Sequence, residues 1–131
     1  MTDQAALANV RYIVDDVEAA VAFYTKMLDF EIITSFPPVF ADVVRGNLRL
    51  LLSGATSSAG QAMSDGAVPA PGGWNRIHLI VDDIDAEVTR LRDSGARFRN
   101  DIIAGPAGKQ VLLVDPSGNF VELFQYRTEQ S

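Results

Sequence analysis

Val10, Tyr12 and Val14 alternate with Asn9, Arg11 and Ile13, a period of two that predicts a strand with one uniformly apolar face. The spacing then changes. Val17, Ala20, Val21, Tyr24 and Leu28 recur at steps of three and four residues, which predicts an amphipathic helix. Asp15, with Glu18 three residues on, has the form of a capping box and places the helix start there. Three short strands are predicted next, at Phe30–Thr34, Phe40–Val44 and Leu48–Leu52. Pro37-Pro38 separates the first two, and Gly46-Asn47, a hairpin turn, separates the last two.

The same pattern returns later in the chain. Asn9–Val21 can be laid on Arg76–Val88 at a constant offset of 67 residues, with Ile13/Ile80, Val14/Val81, Asp15/Asp82, Asp16/Asp83, Ala19/Ala86 and Val21/Val88 identical. Ile77, Leu79 and Val81 repeat the apolar strand face, opposite Arg76, His78 and Ile80. A helix with Ile84, Val88 and Leu91 follows, with Asp82 and Asp85 as a weaker capping box and Ser94-Gly95 as its end. Strands are predicted at Arg97–Ile103, Gln110–Val114 and Phe120–Phe124. The order is βαβββ twice, which means two half-domain modules rather than a solenoid. Between them Ser53–Gly73 has no periodicity and reads as a connector, with a possible second role as a lid.

Composition bounds the function classes. With 131 residues there is room for one domain, and the absence of cysteine excludes disulfides, thiolate metal sites and a cysteine nucleophile. A net charge of −6 without a basic stripe argues against nucleic acid and anionic membrane surfaces. No apolar run reaches the length of a membrane helix, so a soluble, cytoplasmic chain is expected. There is a single histidine, His78.

The repeated start Val14-Asp15-Asp16-Val17, with Ala22-Phe23-Tyr24 and Leu28-Asp29-Phe30 after it, resembles the vicinal-oxygen-chelate superfamily. So does the ending Asp115-Pro116-Ser117-Gly118-Asn119-Phe120-Val121-Glu122-Leu123. That group includes glyoxalases, extradiol dioxygenases and bleomycin-resistance proteins. The resemblance covers residues 6–127 as a single domain, with module one at about 6–52, a linker at 53–73 and module two at about 74–127. It implies an α+β fold in which the two modules pair into a cup-shaped, partly closed sheet with helices outside. Homodimers are common in the group. Because one scaffold serves unrelated chemistries, the fold alone does not fix the function.

Metal-using members place one ligand early in the first strand of each module and one on the last strand of each. Carried over, these slots fall on Asn9, on Leu48–Leu52 where Arg49 is the only polar residue, on Arg76, and on Glu122. Only Glu122 suits a divalent metal. A facial triad needs two histidines per site, and an arginine at a ligand slot puts a permanent cation where the metal would sit. Neither a metal nor another cofactor is expected.

If the module reading holds, Asn9, Arg11, Arg76, His78 and Glu122 face the cup as a net positive cluster, which favours an anionic or electron-rich ligand. Arg76 and Glu122 either form a structural ion pair or divide the work, Arg76 binding a ligand anion while Glu122 accepts a proton. His78 is either a structural side chain or the natural acid–base group, since imidazole ordinarily titrates near neutrality. Trp74, the only tryptophan, is either a rim residue stacking on a flat ligand or a plug at the sheet end. Phe120, Phe124 and Tyr126 share Glu122's face by alternation and suit core or an aromatic ligand equally. Arg90, Arg92, Arg97 and Arg99 read as a solvated surface.

The expectation is a metal-independent protein that binds a small organic molecule and either sequesters it or acts on it. His78 and Glu122 are the candidate catalytic residues. Asn9, Arg11, Arg76, Trp74 and Phe124 are the candidate binding residues. The alternative is a metal-dependent lyase or dioxygenase of the same superfamily. A homodimer is expected, because open sheet edges tend to pair with another chain.

Overall fold

The first alternating segment forms β1 (Ala8–Ile13), and the helical spacing after it forms α1 (Val17–Met27). Then come β2 (Glu31–Phe36), β3 (Phe40–Arg45) and β4 (Leu48–Ser53). The four strands make one sheet in the order β1-β4-β3-β2, with β1 parallel to β4 and the other neighbours antiparallel. These coordinates come from a computed structural model that describes residues 6–128, and the chain divides between Gly72 and Gly73 into two compact units.

In the first unit, alternation sends Tyr12 and Val14 to the buried side with Ala41, Val43, Leu50 and Leu52, while Asn9 and Arg11 stay exposed. Helix α1 packs on β2, β3 and β4 and buries Val17, Ala20, Phe23 and Tyr24. Tyr24 meets Phe23, Phe30 and Tyr12 edge-on, with ring centroids 5.0, 5.6 and 6.5 Å apart. Each fully buried aliphatic residue here stabilises by roughly 1.5–3 kcal/mol.

The second unit repeats the plan with β5 (Ile77–Ile80), α2 (Ile84–Asp93), β6 (Arg97–Phe98), β7 (Ile103–Ala104), β8 (Gly108–Val114) and β9 (Phe120–Tyr126). Its order is β5-β9-β8-β6, with β7 also on β8, and β5 runs parallel to β9. Ile77 and Leu79 are buried with Val111, Leu113, Val121 and Leu123. Helix α2 contributes Ile84, Val88 and Leu91, and its first free N–H, from Ile84, donates to Gln125 Oε1 at 2.8 Å. Each sheet is open. No described helix is long and apolar enough to cross a membrane.

Three local expectations need correction. Both helices are capped by the second aspartate of the pair, not the first. Asp16 accepts from Ala19 N and Asp83 from Ala86 N, because these residues hold the extended backbone an N-cap requires. The predicted strand Arg97–Ile103 is broken into β6 and β7, since Asn100 Oδ1 takes the Leu112 N–H that the ladder would otherwise use. The connector is also less featureless than its composition. Ser57 donates to Gly54 O at 2.7 Å, accepts from Gly60 N at 3.1 Å, and so closes a single 3-10 turn over Ser58–Gly60. Gly54 is buried with no space for a Cβ beside Pro38 O.

The β8–β9 hairpin explains the most specific part of the resemblance. Asp115 is fully buried, and its Oδ1 accepts from Ser117 N at 2.8 Å and Asn119 N at 2.9 Å. Asn119 Nδ2 donates to Oδ2 at 3.2 Å, and Gly118 holds φ of 93°. The Asp-Pro-Ser-Gly-Asn run is therefore a turn-building device. It delivers Phe120 and Glu122 to the next strand in fixed register.

Candidate functional site

Glu122 stands on β9 opposite His78 on β5 and Leu112 on β8, in a row across the open face of the second sheet. Arg76, two residues before His78, reaches the same face. Its Nε and Nη2 both donate to Glu122 Oε1, at 3.0 and 2.8 Å, and its Nη1 donates to Trp74 O at 3.1 Å. His78 Nε2 lies 3.4 Å from the other oxygen, Oε2. One buried carboxylate is thus gripped by a guanidinium through one oxygen and faces an imidazole through the other, while the imidazole remains open to solvent.

Aromatic rings flank this group on both sides. Phe120 lies 5.2 Å from Trp74, Phe124 lies 5.0 Å from His78, and Tyr126 lies 5.1 Å from Phe124. Trp74 is 64% exposed and Tyr126 61%, whereas Phe124 is buried. Alternation along β9 is what lines up Phe120, Glu122, Phe124 and Tyr126. The result is a strip of aromatic surface interrupted by one charged, hydrogen-bonding centre. Such a strip can stack a flat molecule and fix its polar groups.

Asn9 and Arg11 belong to the first module's sheet and are exposed on its open face. Arg11 Nη1 donates to Ser53 Oγ at 3.0 Å, and no carboxylate partners it among the described residues. The neighbouring ion pair was not foreseen. Arg49 on β4 donates through Nε and Nη2 to Asp42 Oδ2 on β3, at 2.8 and 2.6 Å. Asp42 Oδ1 is buried and has no hydrogen-bond partner among the described residues. A lone carboxylate within the apolar run Phe40–Val44 was the available signal. A pocket of about 370 Å³ opens beside Arg11, lined also by Val39, Phe40 and Leu51 and by Ser53, Ser57 and Ser58. Sequence reasoning missed these serines because it assigned them to the connector.

The ligand slots that the resemblance implies can now be placed. In the repeat, Arg11 corresponds to His78, and β1–β4 pairs Arg11 with Leu51 as β5–β9 pairs His78 with Glu122. The second slot is therefore Leu51, not Arg49. The first module thus offers Asn9 and Leu51 at these slots and the second Arg76 and Glu122, whose carboxylate is already bound by the arginine beside it. These donors do not fit a metal ion. Among the described residues, no three histidine, aspartate or glutamate side chains gather where they could hold one.

A family model described as Glyoxalase/Bleomycin resistance protein/Dioxygenase superfamily matches residues 6–123. No curated protein sequence matches the chain. Among solved structures, a member of that superfamily from Sphaerobacter thermophilus is 27% identical, covering 91% of this chain and 95% of that one, with a TM-score of 0.73. An antibiotic binding protein from a Streptomyces species is 25% identical over 92% of this chain and 95% of its own, with a TM-score of 0.70. Lactoylglutathione lyase from Agrobacterium tumefaciens, at 24% identity over 92% and 93% with a TM-score of 0.70, is similar in fold.

Proposed function

Because the chain belongs to the Glyoxalase/Bleomycin resistance protein/Dioxygenase superfamily, we propose that it uses this scaffold to bind a small, partly aromatic organic molecule without a metal. The molecule stacks on the aromatic strip of the second sheet and is oriented by Arg76, His78 and Glu122. The observation that carries this reading is the double hydrogen bond from Arg76 to Glu122 Oε1. It occupies the one carboxylate at the family's metal positions. It also keeps a cation beside it: two like unit charges about 4 Å apart repel by ~4 kcal/mol at an effective dielectric near 20.

Sequestration is the better supported form of this activity. A carboxylate held by a guanidinium through one oxygen and facing an imidazole with the other has both oxygens engaged with its neighbours, which suits orienting a ligand. The similarity to an antibiotic binding protein points the same way. A catalytic reading is favoured by one observation, the His78 Nε2 to Glu122 Oε2 approach of 3.4 Å. There Glu122 would orient an exposed imidazole, and His78 would move the proton of an isomerase or lyase.

We further take the working form to be a homodimer. Strand β2 is a sheet edge that exposes Ile32, Ile33 and Phe36, and bare apolar edges favour association. A monomer mass at tens of micromolar in light scattering would overturn this part.

The binding test uses the single tryptophan. Trp74 fluorescence should change saturably with a planar aromatic probe such as anilinonaphthalene sulfonate, and the titration should be the same after exhaustive chelation. Trp74→Phe, followed by probe emission, keeps a ring and should bind. Trp74→Ala should weaken binding roughly tenfold. Binding lost on chelation and restored by zinc, nickel or manganese would refute the metal-free reading.

A further inference from the structure

We propose that the pocket beside Arg11 in the first module binds the carboxylate of a small ligand with an apolar body. Three observations converge on it. First, the Arg11 guanidinium carries five N–H donors and spends one on Ser53 Oγ, with no carboxylate partner among the described residues. Second, the repeat puts Leu51 where the other module has Glu122, so the cation in this row faces an aliphatic side chain instead of an anion. Third, a pocket of about 370 Å³ lies against this residue.

The walls define the ligand. Val39, Phe40 and Leu51 offer apolar contact, while Ser53 and Ser58 add hydroxyls. Ser57, whose hydroxyl donates to Gly54 O and accepts from Gly60 N, holds the turn beside the pocket. The planar guanidinium fork matches a carboxylate through two parallel hydrogen bonds, stronger than those to a neutral amide. The volume is at the small end of ligand pockets, which suits one ring or a short chain behind the carboxylate. In a chain of net charge −6, an anion needs such a local cation to bind at all.

The test uses the full chain and two isosteric probes, phenylpropionate and phenylpropionamide, followed by backbone amide NMR shifts. The acid should bind saturably and shift residues 51–58, and the amide should bind at least about tenfold more weakly. Arg11→Gln, at an exposed position where folding can be verified by circular dichroism, should cost the acid a similar factor. Arg11→Lys keeps the charge but not the fork and should fall between. Equal binding of acid and amide, an unchanged affinity in Arg11→Gln, no binding of the acid, or shifts confined to the second sheet would each overturn the proposal. Failure of the reading of the second sheet is seen separately, in the Trp74 titrations, which do not involve Arg11.

Discussion

The two modules grip a carboxylate in the same way and then diverge at its second oxygen. In the first, Arg49 donates through Nε and Nη2 to Asp42 Oδ2; in the second, Arg76 donates through Nε and Nη2 to Glu122 Oε1. The remaining oxygen of Asp42 is buried and, among the described residues, unpartnered, while that of Glu122 faces an exposed histidine. The rows they occupy differ as well: Arg11–Leu51–Asp42 in one sheet, His78–Glu122–Leu112 in the other. Fold-making features such as the strand pairing and the helix caps are duplicated. The polar row is not, and candidate chemistry lies in that difference.

Leaving one partner of each grip alone, the carboxylate in the first module and the arginine in the second, tests how unlike the two sites are. The Asp42 side chain is 2% exposed, so Arg49→Met strands a carboxylate that water cannot reach, and breaking a buried pair in this way costs about 3 kcal/mol. For a chain of this size that is a fall of ~10 °C in Tm. The reciprocal cut in the second module, Glu122→Leu, leaves Arg76, whose side chain is 29% exposed and stays hydrated. Its cost should be nearer ~1 kcal/mol. Thermal unfolding of the two variants side by side decides it. Equal losses would mean that the unpartnered oxygen of Asp42 marks no real difference between the grips.

The next comparison swaps the rows. Leu51→Glu with Asp42→Leu gives the first sheet a basic side chain, a carboxylate and a leucine in the order that the second sheet has. The new carboxylate should neutralise Arg11 and reduce phenylpropionate affinity roughly tenfold. Probe binding followed through Trp74 should be unaffected. An unchanged phenylpropionate titration would mean that the free charge on Arg11 is not what the acid reads.

Much of the fold was legible because it rests on local periodicity. The alternation in Asn9–Val14 and Arg76–Val81, the helical spacing after each, and the turn residues Gly46-Asn47 and Asp115–Gly118 all agree with one another. The same alternation put Arg76 and His78 on one face, two residues apart, and the family resemblance added Glu122 to it. What alternation cannot supply is cross-strand register. That is why the second slot was narrowed only to Leu48–Leu52 and why the Asp42–Arg49 pair was missed. Ser53, Ser57 and Ser58 escaped for another reason: a serine in a low-complexity stretch carries no sequence signal of the turn it builds.

The smallest expected effect concerns the caps, where the modules should behave alike. Asp16 and Asp83 each accept a hydrogen bond from the N–H three residues on, at 3.0 and 3.1 Å, and both hold extended backbone before the helix. The bond satisfies one of the orphan donors of the first turn, and the negative charge lies at the positive end of the helix dipole. Asp16→Ala and Asp83→Ala should therefore each cost about 1 kcal/mol. Asp82, one residue earlier, accepts no hydrogen bond from the helix's first turn among the described residues, so Asp82→Ala should stay within ~0.5 kcal/mol of the parent. Urea midpoints at constant slope read all three. If Asp82→Ala proved the costlier of its pair, the capping role would revert to the first aspartate, as the Asp82–Asp85 spacing on its own predicts. Unequal costs for Asp16 and Asp83 would instead place the difference between the modules in their helices as well as in their polar rows.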